Sequence, residues 1–494
     1  MPPRSIEKGV AFKKKLRDGR RIVGCWLTLN SPECAYIMAR TGLDFVVVDL
    51  EHVPLKYAGL RYDEIWISEA QERMVFSVPP DRLDKLLRVF ADEEVEATVI
   101  GRFSDDRVLR VRYDGMIVGE LDMKFLHDGV PTTCRDARWQ PPATLVPPGG
   151  TSNPIDSDLH RRLLAELATP VVASKEFALR TYDHEVQGGS VVKPLCGPGH
   201  GPSDAAVLRP RLDSRRALAL GCGLCPERSD VDPYWMAVAA IDEALRNIIC
   251  VGGDPARTAI LDNFCWGRTD SPEAMGSLVR ACQGAHDAAV AYGLPFISGK
   301  DSLNNEFVQS EAESARTGLP QRITIPGTLL ISAMSMVEDV SRCITMDLKR
   351  PGHSLMLVRC SAEAHGLKAA AGLHSQVAQW IRDGRIVAAH DISDGGVAVT
   401  VAEMCIAGRR GARVRFDGGL GESVDTLFDT WMGAYVLECA ESSAELTLKG
   451  AGGPTQIVHV GTVEDTDRLE ITRGNADKVT WALEELERAW QGSW

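Results

Sequence analysis

The first fifty residues alternate strand-like and helix-like patterns. Residues 22–29 and 43–50 are apolar runs, and the segment between them, 31–41, begins with a serine and has helical spacing. The continuous run FVVV is typical of a parallel strand covered on both faces. The pattern predicts one and a half βα units, which is too little to close a barrel.

The pattern changes between residues 62 and 127. IWISEAQERMVFSV predicts two strands or a strand and a turn, DRLDKLLRVFADEEV predicts an amphipathic helix, and ATVIGRF and GMIVGELDM predict strands. This mixture indicates α+β packing. Residues 136–156 are rich in Pro and Gly and are predicted to be a linker, and SDLHRRLLAELAT is predicted to be the helix that follows.

The second half repeats a strand and helix alternation, which predicts α/β domains. Strands are predicted in DAAVLRP, RALALGCG, TAILDNFCW and FISGKDS, and long helices in DPYWMAVAAIDEALRNIIC and SPEAMGSLVRACQGAHDAAVAY. Gly252, Gly253 and Gly293 are expected to end these helices. Beyond about Leu348 a third unit is predicted, with strands in HSLMLVRC and RIVAAHD, a helix after Ala362 and another in VAVTVAEMCIAG.

Composition and charge exclude several classes of protein. The chain has 494 residues, a net charge of -13, and 44% hydrophobic and 25% charged residues, which is ordinary globular composition. The negative charge argues against nucleic acid as a partner. No signal peptide or membrane-length apolar run is evident, and thirteen scattered cysteines favour a reducing cytoplasm. The pair Cys222 and Cys225 has no second pair at zinc spacing, so a zinc site there is not favoured.

Glu243 and Asn247 form the first candidate metal site. They are four residues apart on a predicted helix and therefore project from the same face. A carboxylate and an amide oxygen one turn apart can share Mg²⁺, although a solvated helix face explains the same two residues.

Two loops strengthen the magnesium and phosphate interpretation. HDISDGG, residues 390–396, places Asp391 and Asp394 before glycines whose backbone N–H groups can approach an anion. SGKDSLNNE, residues 298–306, places Gly, Lys, Asp and Ser at the carboxyl end of a strand, where α/β folds bind ligands. Each loop alone resembles an ordinary turn. Together with the helix pair they predict a Mg²⁺ and nucleotide-phosphate site.

Several long sequence motifs between about Val53 and the C-terminus resemble those of phosphoribosylformylglycinamidine synthase. They are YDEIWISEAQERM, SKEFALRTYDHEVQGGSVVKPL, GPSDAAVLRP, DPYWMAVAAIDEALRNIICVGGDP, ILDNFCWG, SGKDSLNNE and HDISDGGVAVTVAEM. The resemblance implies an α/β (α+β) fold of aminoimidazole-ribotide-synthetase-like domains in two pseudo-symmetric halves, of which this chain would hold the complete second half and part of the first. It also implies a C–N ligase of purine biosynthesis. In that reaction ATP activates the amide oxygen of formylglycinamide ribonucleotide and ammonia displaces the phosphate.

The resemblance also implies site residues. The substrate triplet falls on Glu69, Ala70 and Gln71, where the family usually has Glu-Ser-Gln, and Ser302 is a further substrate contact. ATP contacts fall on Asp262, Gly299 and Lys300, and a second, largely structural nucleotide site takes Ser203 and Ser393 as ATP contacts, with its metal ligands Asp204, Glu243, Asn247 and Asp391. His390 and His184 are expected to be packed, hydrogen-bonded residues rather than ligands.

The first domain of the family, which carries its catalytic histidine, has no matching words before Val53. No glutaminase module is found either, so a glutaminase subunit would be the partner that supplies ammonia. Because the motifs of the first domain are missing, the activity of the chain alone is expected to be impaired. RRIVGCWLTLNSPECAYIMARTGLDFVVVDLEH instead resembles the opening of 2-keto-3-deoxy acid aldolases, which are TIM barrels, and His52 matches their Asp-Leu-Glu-His word. Aldolase activity is not expected, because the other strands of a barrel are missing.

Two alternatives to an active ligase stay open. In the first, the chain is a Mg-nucleotide-binding scaffold that docks a partner, and an exposed apolar face and a homodimer are expected. In the second, it is a related enzyme such as selenophosphate synthetase or thiamine-phosphate kinase. YDHEVQG and SEAQERM argue against the related enzymes. The predicted domains are an aldolase-like fragment at 1–54, a first-half remnant at 55–135, a linker and helix at 136–189, and second-half domains at 190–345 and 346–494.

Overall fold

The computed structural model describes most of the chain beyond residue 75 and shorter stretches before it. The described residues are 23–25, 47–53, 55, 58–68, 76–129, 131, 133–141, 158–360, 366–417, 423–440, 455–474 and 478–492. They fall into two compact units, Met1–Cys134 and Arg135–Trp494.

The first unit is built on an open mixed sheet. Its strands have the order β3-β1-β4-β2-β5-β6, and β2 is parallel to β5 but antiparallel to β4. The elements are β1 Val23–Cys25, β2 Val47–Asp49, α1 Tyr62–Ile67, β3 Phe76–Val78, α2 Leu83–Asp92, β4 Gly101–Arg102, β5 Val108–Tyr113, β6 Met116–Asp122 and α3 Met123–Asp128. Within these residues no barrel is formed.

The predicted boundary at residue 54 does not coincide with a break in this sheet. β1 and β2 precede residue 54, yet β1 pairs with β3 and β4, and β2 pairs with β4 and β5. Val48 and Leu50 pack in one small core with Ile65, Ile100 and Val111. The described residues on both sides of residue 54 therefore share a sheet and a core.

The prediction for residues 65–78 is half right. Phe76–Val78 is a strand, but Ile65 to Ile67 belong to helix α1 rather than to a strand. The Glu64 carboxylate accepts a hydrogen bond of 2.8 Å from the Arg61 backbone N–H and closes the first turn. The strand β5 was not foreseen, whereas the amphipathic helix α2 is confirmed.

The second unit begins with a sheet covered on one face by two long helices. Its strand order is β13-β12-β16-β11-β10-β7. The elements are α4 Leu159–Leu167, α5 Glu176–Leu179, β7 Ser190–Val192, β8 Leu195–Cys196, β9 Gly201–Pro202, β10 Ala206–Leu208, β11 Ala217–Leu224, α6 Pro233–Cys250, β12 Thr258–Cys265, α7 Pro272–Tyr292, β13 Phe296–Ser302, β14 Glu306–Val308, α8 Glu311–Thr317, β15 Arg322–Thr324 and β16 Thr328–Val337.

A second sheet completes this unit, with the order β18-β20-β17-β21-β19-β22-β23. Its elements are β17 Ser354–Cys360, α9 Leu367–Arg382, β18 Ile386–Asp391, α10 Gly396–Gly408, β19 Gly411–Phe416, β20 Ala434–Cys439, β21 Thr455–Glu464, β22 Arg468–Arg473, β23 Lys478–Ala482 and α11 Leu483–Gln491. One hydrophobic core joins the two sheets through α6, α7 and α9. The α/β fold predicted for the second half is confirmed.

Local sequence explains the two helices that cover the first sheet of this unit. Asp232 caps α6 by accepting from the Tyr234 N–H at 2.9 Å, and Pro233 occupies the first helical position. Gly293 ends α7 with φ +72, a left-handed conformation that glycine adopts without strain. The apolar residues of α6 are almost all buried.

The start of the predicted linker is packed against this unit. The Arg138 N–H donates to the Pro272 carbonyl at 2.8 Å. The Arg280 guanidinium lies between the rings of Trp139 and Tyr234, 4.6 and 4.7 Å from their centroids. In the part of the chain that the structure describes, no helix is both long enough and apolar enough to cross a bilayer.

Candidate functional site

Helix α6 presents Glu243 and Asn247 toward strand β11. Gly223 allows this close approach, since a Cβ at that position would overlap the Ala240 carbonyl oxygen of α6. The Glu243 carboxylate accepts from the Leu224 N–H at 2.9 Å, and Asn247 donates through Nδ2 to the Cys222 carbonyl at 2.8 Å. The predicted pair therefore lies at the interface of helix and sheet rather than on a solvated face.

Glu243 is electrostatically unfavourable as an anion in this position. Burial, followed by the negative charge of Asp391, raises the pKa of Glu243 to about 7. A cation beside this carboxylate would reverse the effect.

Asp204 and Asp391 meet at the end of strand β18. The Asp391 N–H donates to Asp204 Oδ1 at 3.1 Å, and His390 Nδ1 lies 2.9 Å from the same oxygen. His390 Nε2 lies 3.1 Å from Glu403 on α10. Burial disfavours the imidazolium, yet Asp204 and Glu403 raise the pKa of His390 well above its usual value. His390 is thus a buried, hydrogen-bonded residue, as the sequence predicted.

The residues that sequence reasoning missed are Asp242 and Arg246. Arg246 donates through Nε to Asp242 Oδ2 at 2.7 Å and through Nη1 to Asp391 Oδ2 at 2.5 Å. Asp242 also contacts His374 at 2.9 Å and accepts from the Gly433 N–H at 2.9 Å. Although burial opposes ionisation, His374 and Arg246 hold the pKa of Asp242 below its usual value. The i,i+4 spacing of Asp242 and Arg246 was the available signal.

A small cavity opens beside this cluster at the N-terminus of α10. Ser393, Asp394, Glu243, Arg246 and Arg228 are among its lining residues. Burial, followed by the charge of Glu227, raises the pKa of Asp394 to about 6. Ser203 lies next to Asp204 and donates its hydroxyl to the Ala205 carbonyl at 3.0 Å.

The predicted metal ligands fit Mg²⁺ unequally. Glu243 supplies a carboxylate and Asn247 adds an amide oxygen on the same helix face, and oxygen ligands of this kind suit a hard cation. Asp204 and Asp391 instead contact His390 and Arg246, although burial still raises the pKa of Asp391 to about 6. The structure therefore divides the four predicted ligands into two pairs.

The other predicted nucleotide site, with Asp262, Gly299 and Lys300, lies at the edge strand β13. Gly299 pairs with Asp262 of β12, and a Cβ on Gly299 would overlap Asp262 Oδ1. Asp262 Oδ1 is buried and has no hydrogen-bond partner among the described residues. Burial and the charge of Asp301 raise the pKa of Asp262. Because buried polar atoms are nearly always hydrogen-bonded, this oxygen marks Asp262 as a candidate functional residue.

Lys300 and Ser302 do not join Asp262. Side chains alternate between the faces of a strand, which places Lys300 and Ser302 on the face opposite to Gly299. Lys300 Nζ lies 3.4 Å from Ser302 Oγ. The predicted set is thus distributed over both faces of β13.

The remaining candidates are placed as follows. Glu69, Ala70 and Gln71 lie outside the described residues. His52 is half exposed beside Glu51, with 3.7 Å between Nδ1 and the carboxylate, and His184 is partly buried, with Nδ1 3.4 Å from the Tyr182 carbonyl.

Comparison with family models agrees with the two kinds of α/β domain. The model for the N-terminal domain of AIR synthase related proteins matches residues 202–312, and the model for the C-terminal domain matches residues 34–114 and 362–474. The C-terminal-domain match begins inside the segment that resembles aldolases, and that resemblance stays a prediction.

Comparison with known proteins finds extensive similarity to one enzyme subunit. The phosphoribosylformylglycinamidine synthase subunit PurL of Thermomicrobium roseum is 34% identical over 401 residues, which cover 77% of this chain and 52% of the relative. The corresponding subunit of Thermosynechococcus vestitus is 30% identical over 499 residues, covering 92% and 62%. The chain thus spans between half and two thirds of the length of these relatives.

Solved structures show the same fold. The structure of T. maritima PurL complexed with ATP has a TM-score of 0.57 and 19% identity, and the similarity covers 87% of this chain and 61% of that one. The same protein complexed with FGAR has a TM-score of 0.56 and 18% identity, covering 89% and 61%. These similarities confirm the predicted fold of AIR-synthetase-like domains.

Proposed function

Because the chain is a homologue of the PurL subunits of phosphoribosylformylglycinamidine synthase, we propose that it acts as an ATP-dependent C–N ligase of purine biosynthesis. In the proposed reaction the amide oxygen of formylglycinamide ribonucleotide attacks the γ-phosphorus of ATP and ADP leaves. Ammonia then adds to the activated carbon and phosphate leaves, which gives the amidine. The observation that carries this proposal is the 34% identity over 401 residues.

The site residues are proposed in two groups. Asp262 and Gly299 contact ATP at the sheet edge, where Asp262 Oδ1 has no partner among the described residues. Lys300 contacts phosphate, and Ser302 contacts substrate with Glu69, Ala70 and Gln71. The second nucleotide site is proposed to use Ser203 and Ser393.

Mg²⁺ is proposed to accompany the nucleotide at the second site. Glu243 and Asn247 supply the carboxylate and amide oxygens, and the ion would offset the charge that Glu243 places beside Asp391. The other two ligands that the resemblance implies, Asp204 and Asp391, contact His390 and Arg246 instead, so the ion is proposed to bind from the Glu243 and Asn247 side.

The proposed partners follow from the relatives. A structure of PurLQS from Thermotoga maritima is among those similar to this chain, with a TM-score of 0.54. We propose that a glutaminase subunit supplies ammonia and that the chain works in the cytoplasm. Because the chain spans 52% to 62% of these relatives, we expect the 494-residue polypeptide alone to turn over slowly.

The test is formation of the amidine by the purified chain. Formylglycinamide ribonucleotide, MgATP and an ammonium salt are supplied, and ADP and amidine are quantified together. We expect slow, ammonia-dependent formation of both in equal amounts, reduced further by Asp262→Asn. Nucleotide binding with no amidine, even at high ammonia, would instead favour a nucleotide-holding scaffold.

One observation favours the scaffold as a second candidate. The sheet face of β10, β11 and β16 turned away from helices α6 and α7 exposes Leu208, Leu220, Leu224 and Met334 at 38–43%. An apolar face of this kind marks an interaction surface. The family resemblance implies two pseudo-symmetric halves, so the surface that suits this face is the same sheet of a second copy. We therefore propose a homodimer formed through it.

A further inference from the structure

Arg246 lies at the centre of a buried group of charges. Its side chain is 5% exposed, and its guanidinium joins Asp242 at 2.7 Å to Asp391 at 2.5 Å. Nη1 also donates to the Ile392 carbonyl at 2.9 Å. The three acceptors come from α6 and from the end of β18, so this one side chain fastens the helix to the second sheet.

Acidic and basic groups alternate along the whole cluster. Asp242 contacts His374 of α9 at 2.9 Å, and Tyr292 of α7 donates to the same carboxylate at 2.8 Å. On the other side, the Asp391 N–H bonds Asp204, which contacts His390 at 2.9 Å. Each aspartate of the cluster therefore has a cationic or imidazole partner from the protein.

A buried carboxylate needs a compensating charge, and a metal ion or a protein cation can supply it. A guanidinium stays protonated at all ordinary pH values and offers several donors in a fixed plane. Such a group in contact with Asp391 also repels a divalent ion from that carboxylate. The two ways of neutralising Asp391 are thus alternatives.

We infer that Arg246 is the permanent counter-cation of Asp391, so that the Asp204–Asp391 end of the cluster keeps its geometry without a divalent ion. Mg²⁺ that enters with a nucleotide would then be held from the Glu243 and Asn247 side. The inference concerns the effect of Mg²⁺ on the stability of the nucleotide-free chain, so it is measured without ATP. Failure of nucleotide binding, which would contradict the proposed function, is therefore a separate result.

The test is thermal unfolding of wild type and Arg246→Met in EDTA and in millimolar Mg²⁺, with no nucleotide. Wild type is expected to have the same Tm in both. Arg246→Met removes the guanidinium from Asp391 and leaves Asp242 with His374 alone, so its Tm should fall by about 10 °C in EDTA and recover in part when Mg²⁺ replaces the lost charge. Arg382→Met, which removes a 42% exposed guanidinium 3.6 Å from Asp254, is the matched control and should show neither effect.

Two results would overturn the inference. One is a loss of stability in Arg246→Met that is equal in EDTA and Mg²⁺, because that describes packing alone. The other is a Mg²⁺-dependent rise in the Tm of wild type that Asp391→Asn abolishes, because Asp391 would then hold a metal beside Arg246. The wild-type and Asp391→Asn arms, together with Arg246→Lys, decide the matter if Arg246→Met does not fold. Arg246→Lys should lose less stability and gain less from Mg²⁺.

Discussion

Gly299 leaves the space that the Asp262 carboxylate occupies. Gly299→Ala would force Asp262 Oδ1 aside, because the new Cβ overlaps that oxygen. We expect a loss of about 1–3 kcal/mol in the free energy of unfolding and a weaker affinity for MgATP. Urea denaturation and calorimetry measure the two effects. The control is Gly372→Ala in α9, where nothing lies within 4 Å of the added Cβ, and unchanged MgATP affinity in Gly299→Ala would exclude this position from the nucleotide site.

Asp394 makes stability depend on pH. Its folded-state pKa is raised from 3.8 to about 6, so the folded chain binds more protons than the unfolded chain between these values. Stability therefore falls as pH rises from about 4 to about 6, and the penalty at pH 7 is at most about 3 kcal/mol. Asp394→Asn should remove this penalty and be more stable than wild type at pH 7. The measurement is urea unfolding at pH 5 and pH 7, with the exposed Asp467→Asn as control, and a pH dependence equal to that of wild type would contradict the expectation.

Residue types and spacing identified some candidate residues but not their partners. Glu243 and Asn247 were found because a one-turn spacing puts them on one helix face, and the structure confirms the helix. Arg246 and Asp242 were missed because their partners are distant in sequence: the Asp391 carboxylate, which accepts from Arg246, and the Gly433 N–H, which donates to Asp242. No local pattern contains that information.

At the scale of elements, long periodic segments were predictable and short ones were not. Helices α6 and α7 follow from their apolar spacing and glycine ends, and α10 follows from a continuous apolar segment after two glycines. Helix α1 has six residues, and its first turn depends on the side chain of Glu64, so the apolar letters around it suggested a strand. Strand β5 alternates apolar and charged residues only over the four positions 109–112, and this short signal was missed.

The contact between β11 and α6 is the element-scale feature that positions Glu243. Gly223→Ala would push the strand from the Ala240 carbonyl and displace the Leu224 N–H from the carboxylate. We expect a loss of about 1–3 kcal/mol in stability and weaker binding of MgADP. Gly372→Ala again serves as control. If Gly223→Ala is less stable but binds MgADP with unchanged affinity, Glu243 takes no part in nucleotide binding.

At the scale of the whole molecule, the exposed apolar sheet face predicts association. Sedimentation velocity should show that the wild-type chain is a dimer and that Leu220→Asp is a monomer. Leu220 lies beside Met334 on the apolar face, so the aspartate would bury a charge in the interface between the two copies. Val290→Asp on α7, where the side chain is 69% exposed, should stay dimeric. A monomeric wild type at micromolar concentration would contradict the proposed interface.

The α/β class and the family fold could be predicted from the sequence motifs of the second half, but the order of the strands could not. Only pairing between distant segments decides that β13 is an edge strand and that β16 lies between β11 and β12. The same limit applies to β1 and β2, whose letters resemble another family but whose partners are β3, β4 and β5.

The most direct test of the account is calorimetric titration of the 494-residue chain with MgATP and MgADP. The account predicts saturable binding of at least one nucleotide per chain, weakened in Glu243→Gln or in Gly299→Ala and unchanged in Gly372→Ala. A folded wild-type chain that binds neither nucleotide would contradict it.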